Sequence, residues 1–346
     1  MVVAVAVVGA VGYAAMRTSA AAAPSGALAS TASTFRVTGY AETGATTAAQ
    51  LTASKKLLTT VGVDGVNLTA DGDGVTAVDP DSLALLADAH HDGKKAELLF
   101  GNFSDELGDF SDPLAEKMFA SPANIQSVVA TLTADVNSGG WDGITVDLES
   151  LNDWGDPAHK RDDNAGLDAF VTALRTSLGD KTVSICLSAT SDSYTDLGYD
   201  LPVLSKQVNN IVLMAYDQHG PTWSNAGPVG GYPWVKSTVA KLVKSVPRSR
   251  VQLGVGEYGY SWPGDAEGGG DGNGRTFTDA EARAYVKSHH GKAVWSSTQK
   301  EWHSTLADGT VIWWSDHKAF EARLSLAHRL RLGGVAVWSL GEGDPL

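Results

Sequence analysis

Three side chains on one short segment, Thr145, Asp147 and Glu149 in WDGITVDLES (141–150), have the types and spacing for acid–base work. Residues two apart share a face of a β-strand, so all three would project to one side, with Glu149 at the C-terminal end. Two carboxylates in a confined space cannot both ionise cheaply, so one keeps its proton near neutral pH. A general acid needs that property. Alone, a DxE triplet reads more readily as a core salt bridge or a solvated loop, so its place in the fold decides.

From Phe35 onward, short apolar β-type runs alternate with amphipathic helical stretches. The runs are FRVTGYAE (35–42), GVDGVNLTA (62–70), KAELLFGNFS (95–104), GITVDLES (143–150), TVSICLSA (182–189), NIVLMAYD (210–217), VQLGVGEYG (251–259) and GVAVWSLG (334–341). They are continuous rather than strictly alternating, which fits a parallel sheet covered on its outer face. Eight βα units predict an α/β fold, a (β/α)8 TIM barrel. Active sites of such barrels lie at the C-terminal ends of the strands. Glu149 would then stand at the mouth, with Asp147 one layer below.

The seventh and eighth runs lie ~75 residues apart, far more than one helix and two loops need. The gap opens on the Gly-rich stretch PGDAEGGGDGNGR, continues through a helical TFTDAEARAYVKSHH, and then reads as a small meander, KAVWSSTQKEWHSTLADGTVIWW. A small α+β insertion between strands seven and eight, over about 260–315, follows. The expected division is thus 1–34 as a leader and 35–346 as the barrel.

The chain has 346 residues and a net charge of −14 without a Lys/Arg-rich run, which argues against nucleic acid as a partner. Val2–Met16 is apolar and precedes a small-residue stretch, so 1–34 reads as a signal peptide or membrane anchor plus linker. The expectation is an extracytoplasmic protein, secreted or anchored through residues 2–16, and a monomer. The single cysteine, Cys186, reads as a small buried hydrophobe. DGDG (71–74) and GDGNG (270–274) lack the closing ligands of a calcium loop, and the His90–His91 and His289–His290 pairs lack metal-ligand spacing. No metal and no cofactor are expected. No GxSxG elbow is present to suggest a serine hydrolase.

DGITVDLE resembles the signature of glycoside hydrolase family 18, the chitinase-like family. The likeness runs over nearly the whole chain from Phe35. It takes in Gly39 and Tyr40, Asn102 in GNFS, VLMAYD, LGVGEYGYSW and GGVAVWSLGEGDP, in the family's order. The branch it is most similar to contains bacterial spore-cortex and peptidoglycan-associated members. The resemblance implies Glu149 as the acid on the glycosidic oxygen, and Asp147 as the carboxylate that turns to the substrate acetamido group. It further implies Tyr216 as the hydroxyl holding that group, Asp217 as a substrate-binding neighbour and Trp338 as the floor of the sugar site. Tyr40 and Asn102 join the substrate-binding set. The implied reaction is retaining and substrate-assisted: the 2-acetamido oxygen, not a protein carboxylate, attacks the anomeric carbon. The substrate would be a β-linked N-acetylglucosamine polymer, chitin oligosaccharide or peptidoglycan glycan. A non-catalytic, lectin-like barrel of the same family is the rival reading.

Two positions depart from the family pattern. Thr145 stands where an acid is usual; it could hydrogen-bond Asp147 but not share its charge. Glu257 stands where an apolar residue is usual, near the mouth end of strand seven, as a substrate contact or a salt-bridge partner. Trp154, Trp223 and Trp262 follow strand ends and could stack on sugars or pack in the core. Trp234, on the next helix, reads as structural.

Overall fold

Eight parallel strands close on themselves in a computed structural model of the chain, which describes residues 35–152, 163–191, 193–264 and 274–346. Seven strands come first: β1 (Arg36–Glu42), β2 (Thr60–Asn67), β3 (Lys95–Gly101), β4 (Gly143–Asp147), β5 (Thr182–Ser188), β6 (Asn210–Met214) and β7 (Val251–Gly256). Five insertion strands follow: β8 (Tyr258–Trp262), β9 (Arg275–Thr278), β10 (Val294–Ser296), β11 (Glu301–Thr305) and β12 (Val311–Trp314). The last barrel strand, β13 (Gly334–Trp338), pairs with both β1 and β7 and closes the ring.

The helices are α1 (Ala48–Ser54), α2 (Pro80–His91), α3 (Asp112–Phe119), α4 (Pro122–Gly139), α5 (Asp163–Leu178), α6 (Leu201–Gln207), α7 (Tyr232–Leu242), α8 (Asp279–Ser288) and α9 (His317–Leu330). Their ends carry local signals. Asp79 caps α2 ahead of Pro80, and Asp316 caps α9. Thr278 and Glu281 form a capping box on α8, and Gly140 ends α4 in the left-handed region. Among the described residues no helix is long and apolar enough to cross a membrane. The expected leader (1–34), Trp154 and most of the Gly-rich stretch lie outside the described residues.

Strand parity sorts the barrel into two compartments. Outward residues such as Val61, Leu98, Val146, Ile185, Leu213, Val255 and Val337 join Leu132, Phe170 and Leu174 of the helices in one core. Each such fully buried side chain contributes roughly 1.5–3 kcal/mol. Inward residues fill the barrel in layers. The bottom layer is polar: Glu97 Oε1 receives Arg36 at 2.9 Å, while Oε2 receives Thr145 Oγ1 at 3.1 Å and Ser184 Oγ at 2.8 Å. Thr145 therefore serves Glu97, not Asp147 as the sequence allowed. Above lies a tight apolar layer of Tyr40, Leu99, Cys186, Val212 and Ala336. Gly62 makes room there; a Cβ on it would stand 2.4 Å from the Tyr40 ring.

The insertion is an antiparallel sheet in the order β9-β8-β12-β11-β10, with α8 packed on it. The expected single run 251–259 breaks at Glu257, so that β7 stays in the barrel and β8 belongs to the insertion sheet. A buried ion pair ties this sheet to the barrel. Glu301 of β11 accepts from Val229 N (2.8 Å), Gly230 N (2.9 Å) and Arg323 Nη2 of α9 (2.7 Å). Removing one partner of such a pair strands the other charge.

Candidate active site

Beyond the mouth ends of β4, β5, β6 and β13 lies a pocket of about 310 Å³, lined by Asp147, Glu149, Ser188, Ala189, Met214, Tyr216, Asp217, Trp338, Trp234 and Phe110. Five of the expected residues, Glu149, Asp147, Tyr216, Asp217 and Trp338, thus meet in one concavity of the size small ligands occupy. Strand ends explain the convergence. Asp147 is the last residue of β4, Trp338 the last of β13, and Tyr216 and Asp217 follow β6.

Glu149 is set by its backbone. Asn102 Oδ1 accepts from Glu149 N at 2.9 Å, and Asn102 Nδ2 donates to Glu149 O at 2.9 Å and to Ser111 O at 3.0 Å. Tyr199 Oη donates to the preceding carbonyl, Leu148 O, at 3.1 Å. Ser150, immediately after, has φ of 58°, in the left-handed region that costs a non-glycine residue roughly 1 kcal/mol or more. Burial, then the charges of Asp147, Asp217 and Asp109, push the Glu149 carboxyl well above the usual carboxylate range. The shift is in the direction a general acid requires.

Asp147 is buried, and its Oδ1 has no hydrogen-bond partner among the described residues. Burial and the charge of Asp64, on the inward face of β2, raise its pKa to about 7, against a lowering contribution from the Cys186 thiol. Opposite, Tyr216 packs edge-on to Tyr258 at 6.4 Å between centroids. Gly254 of β7 leaves space for it, since a Cβ there would lie 3.0 Å from the Tyr216 ring. Asp217, at φ of 55°, accepts from Tyr258 Oη (2.6 Å) and Tyr260 Oη (2.8 Å) on one oxygen. The insertion thereby fixes a carboxylate on the pocket lip. Trp338 leans on Tyr40 at 5.7 Å between centroids.

Three expected site residues sit elsewhere. Tyr40 lies beneath the floor, 2% exposed, with its Oη 3.7 Å from Cys186 Sγ. Asn102 is fully buried behind Glu149 rather than on the pocket wall. Glu257 is 1% exposed and is not among the residues lining this pocket; among the described residues it is neither the substrate contact nor the salt-bridge partner anticipated. Both of its oxygens lack hydrogen-bond partners among the described residues, and burial together with Asp279, Asp344 and Asp316 pushes its pKa well up. The reason is parity: Gly254 and Gly256 face the barrel interior, so Glu257 points outward, under the C-terminal segment. Gly343 packs there, and a Cβ on it would stand 2.3 Å from Glu257 Oε2.

Sequence reasoning missed two walls. Trp234, read as structural, lines the pocket from the first turn of α7, and Phe110 does so from the 103–110 hairpin after β3. Cys186 is buried as read, in the apolar layer inside the barrel. Trp262 is core, donating to Gly220 O (3.3 Å) and Ser224 O (3.0 Å). Trp223 is 53% exposed and packs edge-on to Tyr260 beside the lip.

The family model for glycosyl hydrolases family 18 matches residues 37–343. The uncharacterized glycosylase YvbX of Bacillus subtilis (strain 168) is 23% identical over 258 residues, covering 72% of this chain and 71% of its own. The spore cortex-lytic enzyme SleL of Bacillus megaterium QM B1551 superposes with a TM-score of 0.75 at 19% identity, covering 90% of this chain and 71% of that one. A mutant class V chitinase of Nicotiana tobaccum in complex with NAG4 gives 0.74 at 16% identity, covering 90% and 95%.

Proposed function

The chain belongs to glycosyl hydrolases family 18 and is a glycoside hydrolase, and on that premise we propose that it is a retaining, substrate-assisted hydrolase of β-linked N-acetylglucosamine glycans, chitin oligosaccharides or peptidoglycan. The observation that carries this reading is the convergence of Glu149, its pKa raised by burial, with Asp147, Tyr216 and Trp338 on one pocket.

In this reading Glu149 delivers its proton to the glycosidic oxygen. The 2-acetamido oxygen closes on the anomeric carbon as the bond to the leaving sugar breaks, giving an oxazolinium. Asp147 accepts the acetamido N–H and offsets the developing positive charge, and Tyr216 donates to the acetamido oxygen. Water then opens the ring with Glu149 as base, so the configuration is retained. Trp338 and Trp234 offer apolar faces to the sugar ring. The NAG4 bound by the tobacco enzyme is in keeping with such a ligand.

The test is release of reducing ends from chitooligosaccharides and from purified peptidoglycan by wild type and Glu149→Gln. The reading expects turnover by wild type and a loss of at least ~10³-fold in the variant. Glycan binding without turnover by either protein would select the lectin-like alternative.

A further inference from the structure

Asp147 carries a charge problem that its own strand does not solve. Thr145, two residues back, is engaged by Glu97, and Arg36 is held at that same lower level by Glu97 Oε1. The groups that face Asp147 are Tyr40 from β1, Asp64 from β2, Glu149 beyond the end of β4, Cys186 from β5, Tyr216 after β6, and Tyr199 ahead of α6. None is a cation, and Asp64 adds a like charge.

Cys186 is the cross-strand neighbour of Asp147. β4 and β5 pair in parallel with Val146 opposite Ile185, so the next residues, Asp147 and Cys186, come side by side. Both face the barrel interior, and such neighbours have Cβ atoms about 4.5–5.5 Å apart. On its other side Cys186 Sγ lies 3.7 Å from Tyr40 Oη. Position 186 is 3% exposed and clusters with Tyr40, Leu99, Val212 and Met214.

We propose that Cys186 is a positioning residue of the site, its thiol donating to the Asp147 carboxylate while accepting from Tyr40, in a chain that runs from β1 through β5 to β4 and holds Asp147 charged and aimed at the pocket. The thiol stays protonated in this role, because burial and the charge of Asp147 push its pKa well up. The hydrogen bond it makes favours the charged form of Asp147 against burial and Asp64. Its catalytic consequence rests on the reading of Asp147 as the group that orients the acetamido N–H; the hydrogen bond does not.

The experiment is therefore read first without turnover. The Asp147 carboxyl is followed by ¹³C NMR against pH in the full chain, its signal identified by its absence in Asp147→Asn. Wild type is expected to titrate near 7. Cys186→Val, about one methyl larger and without the donor, should raise the midpoint by about one unit, a tenfold fall in the ratio of ionised to protonated form at fixed pH; Cys186→Ser should stay within a few tenths. Cys186→Ala, a smaller change, should shift as Val does if Val perturbs folding. The acid limb of kcat/KM should move with the midpoint in Val and not in Ser. An unchanged midpoint in Val and Ala, or equal shifts in Val and Ser, would overturn the proposal. Absent turnover, the NMR result still decides it, while the proposed hydrolytic function fails separately.

Discussion

Asn102 grips Glu149 by both of its backbone groups, accepting from its N–H and donating to its C=O at 2.9 Å each. The amide lies behind the acid, just past the end of β3, the strand paired with β4, and also bonds Ser111 O. It turns the residue after β4, which has left the sheet ladder, into a fixed point. Ser150, which follows, is in the left-handed region. Asn102→Ala should leave three backbone groups short of a partner, with a stability loss of about 2–4 kcal/mol and a fall in kcat of ten- to a hundredfold. Denaturant unfolding and steady-state kinetics at a temperature where the variant is folded check both. A folded variant with wild-type kcat would show that the grip does not position the acid.

Thr145 is where an acid would be expected by family likeness, yet an acid is what the barrel interior here cannot take. Its hydroxyl donates to Glu97 Oε2, a carboxylate already shared with Arg36 and Ser184. Thr145→Asp would set two carboxylates against each other in a buried layer. The expected cost is about 2–4 kcal/mol in urea unfolding at pH 7, with no gain in kcat. Higher activity at undiminished stability would mean that the position communicates with Asp147 after all.

Buried carboxyls govern the pH dependence of stability. Asp147, Asp112 and Glu342 are raised to about 7 and Asp64 and Asp279 to about 6, in each case first by burial. Glu257 is raised well above the usual carboxylate range, also first by burial. A folded-state pKa above the unfolded value means that the folded chain binds the proton more tightly. The stability it contributes is fully present below about pH 4 and lost as pH rises through the folded value. The protein should therefore be less stable at pH 8 than at pH 5. Glu257→Gln, which keeps shape without charge, should be near neutral at pH 5 and stabilising by on the order of 1–3 kcal/mol at pH 8. Parallel unfolding curves for the two proteins across that range would contradict this account of Glu257.

Trp234 supplies a pocket wall from a helix rather than from a strand end. Removing that face should weaken substrate binding more than the bond-breaking step. Trp234→Ala is expected to raise KM about tenfold with kcat within a few-fold. Unchanged KM on oligosaccharides of every length tried would leave Trp234 a packing residue, as its sequence context reads.

What the sequence disclosed follows from parity. Val and Ile runs mark the eight barrel strands, and the active end of a barrel strand is its C-terminal end. Glu149 and Asp147 were legible because they stand at such an end; Tyr216, Asp217 and Trp338 were named through the family likeness. Trp234 and Phe110 were not, since the path of a loop decides where a helix start or a hairpin comes to rest. Glu257 misled because the break between β7 and β8 falls beside it, hiding the outward parity it shares with Val255. Cys186 was hidden by composition: in TVSICLSA a thiol looks like one more apolar residue, and only pairing with β4 puts it beside Asp147.

The central claim is that the substrate's own acetamido group is the nucleophile. It is tested most directly with matched chitotetraoses that differ in one group, the 2-acetamido of the sugar at the cleaved bond, replaced by a free amine. The account predicts cleavage of the acetylated compound with retained configuration and a fall in kcat/KM of at least ~10³-fold for the amine. Comparable cleavage of both, dependent on Glu149, would contradict it and leave a protein carboxylate or a base-activated water as the nucleophile.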